Sequence, residues 1–104
     1  MKQLNIQQGD VLLRPVNVLS TQGYPRVTGR LVIHQGEHGG HAHVIEDDEA
    51  ELVMIGHRML LNLGKAATMV HEEHKSVEVP AGTYDVGQVQ AQDYAAQTKS
   101  VVED

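Results

Sequence analysis

Apolar positions along this chain come in short bursts, several of them alternating with polar ones, and each burst ends at a glycine, a proline or a cluster of small polar residues. The first burst, Val11 to Arg14, follows a break at Gly9-Asp10, is interrupted by Pro15 and resumes from Val16 to Leu19. A proline there predicts an edge or a bend, because it cannot donate to a ladder. Ser20 to Pro25 has the Gly, Pro and hydroxyl content of a loop. Gly29 to His34 reads as a second strand that runs into the glycine-rich stretch Gly36 to Gly40, and Val44-Ile45 belongs to the strand that carries His41 and His43. The acidic run Glu46 to Glu51 reads as a solvated hairpin connection.

Leu52 to Ile55 and Met59 to Leu63 pair as a hairpin about Gly56-His57-Arg58. A helix from Met59 to Thr68 competes, since Leu60, Leu61, Leu63 and Ala66 suit its period, but Asn62 and Gly64 interrupt it. Ala66 to Val70 leads to His71, and Ser76 to Val79 has the period of a half-buried strand. Pro80-Ala81-Gly82 is a turn, Thr83 to Gln90 alternates as a long closing strand, and the tail from Asp93 gives a final strand or a fraying end. Regular short strands with frequent turns predict an all-β protein, a small barrel or sandwich, folded as one domain over 1–104.

Composition narrows the chemistry. The 104 residues contain no Phe and no Trp, and the tyrosines are Tyr24, Tyr84 and Tyr94, so the interior must be built from Val, Leu, Ile and Met. The absence of cysteine excludes disulfides, thiolate zinc sites, iron–sulfur clusters and a cysteine nucleophile. The formal charge of −6, with no basic stripe, argues against nucleic acid as a partner. No apolar run reaches membrane-spanning length and the first residues lack the apolar centre of a signal peptide, so a cytoplasmic protein is the expectation.

All seven histidines fall between His34 and His74, four of them in two tight pairs. His41 and His43, two apart, share one face of an extended strand. His71 and His74, three apart, meet either on a helix face or across a tight turn. Brought together, the pairs supply four neutral imidazole donors, and without thiolates the ion is a divalent transition metal such as Zn, Fe or Ni. His34 and His38 are further candidate ligands, whereas His57 falls on a hairpin tip. Glu46, Glu72 and Glu73, and with them Glu37, are candidate general bases, and Glu72 and Glu73 also suit the orientation of imidazoles through the second ring nitrogen. The competing reading has these histidines bonding one another or the backbone in polar turns. Neither pair has the spacing of the zinc-protease helix motif, and the glycine loop lacks the Lys-Ser/Thr of a phosphate cradle.

Gly36, His41-Ala42-His43 and Glu46, followed by Pro80-Ala81-Gly82-Thr83-Tyr84, resembles the two-motif layout of the cupins. That resemblance implies a small barrel holding a metal on the first motif's histidines and glutamate, with a third histidine after the second motif's glycine; here Asp85 stands at that place. The Gly9-Asp10-Val11-Leu12 opening, the Gly40-His41-Ala42-His43 core and the His71-Glu72-Glu73-His74 segment also resemble a family of small, uncharacterised bacterial and phage proteins. The clustered histidines lead to the expectation of a metal-binding barrel, which an open position on the ion would make a metal-dependent enzyme acting on a small-molecule ligand. The alternative is a non-enzymatic binding or interaction protein that forms homo-oligomers, dimers in the first place.

Overall fold

The computed structural model describes residues 4–18, 20–35, 42–88 and 101–103, with the backbone alone for His34, Gln35 and 101–103. The described strands are β1 (Ile6–Gln8), β2 (Val11–Pro15), β3 (Arg26–Gln35), β4 (Ala42–Ile55), β5 (Arg58–Leu63), β6 (Ala67–His71), β7 (His74–Val79), β8 (Gly82–Gln88) and β9 (Val101–Glu103). The protein is all-β, as its alternation predicts. No helix among the described residues is long and apolar enough to cross a membrane.

Two of the turns owe their shape to glycine. Gly9 and Gly56 open the two-residue connections β1–β2 and β4–β5 with φ of 55° and 61°, a conformation that a Gly-first hairpin turn requires and a side chain opposes. His57 therefore sits exposed at a hairpin tip, and the helical alternative over Met59–Thr68 gives way to β5 and β6.

Strand β4 organises the sheet. β3 pairs along one of its edges, so β6 and β5 must share the other: Val44 and Ile45 pair with Val70 and Met69, and Ala50 to Ile55 pair with Leu63 to Arg58. Between these segments the register against β3 jumps, with Gly29 opposite Asp47 but Thr28 opposite Glu51. The surplus residues Asp48, Glu49 and Ala50 form a bulge, and a bulge bends a strand. The acidic run is thus not a hairpin connection but the interior of β4, a correction to the sequence reading. Three of its carboxylates gather around Lys65, whose Nζ lies 3.3 Å from Asp48, 3.8 Å from Glu49 and 3.9 Å from Asp47, while Glu51 accepts from Arg26 and Asn62. A charged run looks like a loop in one dimension because the convex side of a bulge asks for no apolar packing.

From β4 the sheet order is β7-β6-β4-β5-β8-β2-β1-β9, antiparallel except for β1 with β9, and it curls until β1 comes against β7. The result is a small, nearly closed β-barrel, compact with a radius of gyration of 13.1 Å and consistent with a cupin-like fold. Pro15 closes β2, and residues 16–18 do not resume a strand as the apolar run suggested. The core is built from cross-strand rows. Leu31, Ile45, Met69 and Val77 stand in register across β3, β4, β6 and β7, and Leu52, Leu61 and Tyr84 across β4, β5 and β8, all buried. The Tyr84 hydroxyl donates to the Pro80 carbonyl at 2.7 Å, which removes the cost of burying it. The adjacent row Val32, Val44, Val70 points the other way, and Val32 and Val70 remain 40% and 44% exposed.

This assignment of faces predicts unequal costs. Leu61→Ala empties part of the core and lowers the unfolding free energy by about 2–5 kcal/mol, whereas Val32→Ala on the outer face changes it by less than about 0.5 kcal/mol. Urea denaturation measures both, and comparable losses would mean that the faces are reversed.

Candidate functional site

The second histidine pair meets across a turn. β6 and β7 are joined by Glu72-Glu73, with His71 opposite His74 in the ladder. Because Val44 pairs with Val70, the preceding β4 residue His43 comes beside His71. Ring centroids lie 4.4 Å apart for His43 and His71, 4.5 Å for His71 and His74, and 5.8 Å for His43 and His74. Three of the four paired histidines are therefore gathered from separate parts of the chain. His41, the fourth, and His38 lie outside the described residues; the His34 backbone is in register with His43.

The β1–β2 turn lies against these rings. A Cβ placed on Gly9 would come 2.5 Å from His74 Nε2, so glycine serves both the turn and the close approach. The next residue, Asp10, places Oδ1 3.3 Å from His43 Nε2. His43 is 2% exposed, and its other nitrogen, Nδ1, lies 2.8 Å from Gln8 Oε1. Gln8, fully buried, uses its amide nitrogen to donate to the carbonyls of Met69 at 3.0 Å and Lys75 at 2.7 Å. Gln8, Gly9 and Asp10 were not recognised as site residues from the sequence.

Burial holds the His43 imidazole at a pKa of about 4, below its ordinary value; repulsion from His71 and His74 adds to the effect, and Asp10 opposes it. At neutral pH the ring is uncharged. Among the described residues, no group of three or more His, Asp or Glu side chains is arranged to hold a metal ion. Orientation accounts for part of this: His43 and His74 stack with 13° between their planes, and His71 Nδ1 accepts the Glu73 backbone N–H at 3.0 Å.

The carboxylates proposed from the sequence are placed as follows. Glu46 is exposed and, three positions from His43 on β4, belongs to the opposite face. Glu72 and Glu73 occupy the exposed turn between the two rings. Asp85, which replaces the cupin histidine, lies 3.6 Å from Arg58 in an ion pair.

In metal-free protein the His43 shift makes stability fall with acid. Below the ordinary imidazole pKa the unfolded chain takes up a proton that folded His43 refuses until about pH 4, so stability present above pH 6.5 is lost as pH drops through this window. The loss is on the order of 3 kcal/mol. Urea titrations from pH 7 to 4 should show it, with a shallower slope in His43→Asn, and a His43 ring that titrates near 6.5 by NMR would exclude this account.

Comparison with curated proteins and with solved structures returns no match. A family model does match, over residues 7–89, which takes in the β1–β2 turn, the described histidines and strands β2 to β8. The chain belongs to the family described as Domain of unknown function (DUF8820).

Proposed function

We propose that this barrel binds a divalent transition metal, Zn, Fe or Ni, through His43, His71 and His74, with His41 as the fourth donor read from the sequence. The observation that carries the reading is the packing of three imidazoles from β4 and the β6–β7 turn within 5.8 Å of one another, one of them buried. A buried imidazole kept neutral at pH 7 retains the lone pair that a metal needs. His71 and His74 are only half-buried on a short turn, which leaves their rings room to rotate toward a common ion. Glu72 and Glu73 are the carboxylates nearest in sequence to these rings and the candidates for orienting them or accepting a proton. A position left open on the ion would polarise an oxygen of a small-molecule ligand, the basis for a metal-dependent enzyme.

A second reading, self-association, is favoured by the outer valine row. Arg30 stands next to Val32 in that face on β3, and Glu78, in register with Thr68, stands on β7 at its other side. A two-fold axis running along β4 would set Val32 of one copy against Val70 of the next and Arg30 toward Glu78, so the face is complementary to itself. The partner in this reading is a second copy of the chain, in a homodimer.

Metal content after purification without chelator, followed by calorimetric titration with Zn²⁺, Fe²⁺ and Ni²⁺, tests the first reading. One equivalent is expected, lost in His43→Ala/His71→Ala and retained in His57→Ala; a double variant that still binds one equivalent would refute the ligand set. Sedimentation of Val70→Lys tests the second reading, which requires a dimer in the parent protein and a monomer in the variant.

A further inference from the structure

The inner face of the barrel is not covered at one end. Its row Leu52, Leu61 and Tyr84 is buried. Two positions further along the same strands, and so on the same face, stand Met54, Met59 and Val86, which pack against the core yet stay half-exposed. Val86 also ends an inner row whose other members, Ile6 and Leu13, are buried. Met59 and Val86, together with Ile33 of β3, wall an open cavity of about 310 Å³. Ile33 lies beside the start of β4, and Met59 lies opposite Met54 near its end. The two halves of one strand border a single space because the bulge between them bends it.

Size and lining indicate what this space holds. Inward-facing apolar side chains left in contact with water forgo stabilisation that a ligand covering them would recover. The volume falls at the lower end of the range of about 300–1,000 Å³ for small-molecule pockets, and a concave space of that size admits a few atoms rather than the face of another protein. The polar groups at its edge are His57, on the β4–β5 tip, and Gln88, at the end of β8. An amide offers both donor and acceptor, and so does an imidazole in its neutral form. Among the described residues, no lysine, arginine or carboxylate lines the cavity. Such an edge suits a head group that donates and accepts without carrying charge.

We propose that the mouth of the barrel binds a small uncharged molecule with a short aliphatic body and a hydroxyl or amide head. The body lies against Ile33, Met59 and Val86, and the head meets His57 and Gln88. Gln8, Val11 and Gln88 stand in register across β1, β2 and β8, which sets the mouth two strand spacings, about 10 Å, from the glutamine that touches His43. The site goes beyond the metal-binding reading and does not depend on it, since no ion takes part in holding the ligand.

The test uses the full chain stripped of metal, titrated with 1-butanol, 1-pentanol, 1-hexanol and hexanoate while the methyl NMR signals are followed. The proposal expects saturable shifts at Ile33, Met59 and Val86, with Val32 and Val70 on the outer face unmoved. It also expects alcohol affinity to rise about fourfold per methylene and hexanoate to bind more weakly than hexanol. Val86→Phe, which fills the cavity, lowers hexanol affinity at least about 10-fold. His57→Ala, on an exposed turn, lowers it about 2- to 10-fold, and Val32→Ala leaves it unchanged. Shifts spread over both faces, affinity indifferent to chain length, hexanoate bound as tightly as hexanol, or full hexanol affinity in both cavity variants would each overturn the proposal. None of these outcomes bears on metal uptake by the histidines.

Discussion

The buried amide of Gln8 is the constraint on which the rest of the molecule depends. β1 and β7 meet where the curled sheet closes, and the Gln8 side chain joins them there, donating to a carbonyl of β6 and a carbonyl of β7. Without it the seam loses these two hydrogen bonds and His43 Nδ1 loses its contact with Gln8 Oε1, and a buried polar group left unsatisfied costs about 1–3 kcal/mol. Closure of the barrel and the orientation of the buried His43 imidazole are therefore the same event, carried by three hydrogen bonds of one side chain. A glutamine suits this place because it presents two donors and an acceptor without charge.

The neighbouring turn extends the same logic. A two-residue connection with glycine first fixes how β2 leaves β1, and the glycine's missing Cβ admits His74 to the space beneath the turn. The residue after it is then held above His43. Gln8, Gly9 and Asp10 thus each contribute a different element: closure and ring orientation, clearance, and negative charge. They are consecutive in the chain, so the turn that starts the barrel is also one wall of its candidate site.

How much of this could be read in one dimension follows from the range of each interaction. Alternation and turn residues are local, and they located β3, the β4–β5 hairpin, β7 and β8 closely. The meeting of His71 with His74 was equally local, since three residues reach no further than a tight turn. The β4 bulge was misread because Asp47, Asp48 and Glu49 carry the composition of a loop, and only their pairing partners on β3 and β5 show otherwise. Gln8 was illegible for a stronger reason: its partners lie 35, 61 and 67 positions away. Nothing in Gln7-Gln8 distinguishes a solvated lead-in from a buried strand until the sheet has curled. The cupin layout gave the barrel class, and Asp85, which stands where that layout has its third histidine, is in an ion pair with Arg58 on β5.

The three imidazoles are also held with unequal firmness, and this bears on what the site can do. His43 is buried, hydrogen-bonded at both nitrogens and anchored to the barrel seam, whereas His71 and His74 are half-exposed on a two-residue turn. A site in which every donor is locked in advance pays most of its ordering cost during folding and rejects ions of the wrong geometry. One fixed donor with two adjustable ones does something else. In the proposed metal site it would give an ion a first foothold of defined direction and let the remaining coordination form around it from the exposed turn. The overall charge of −6 would favour the approach of a cation to that foothold.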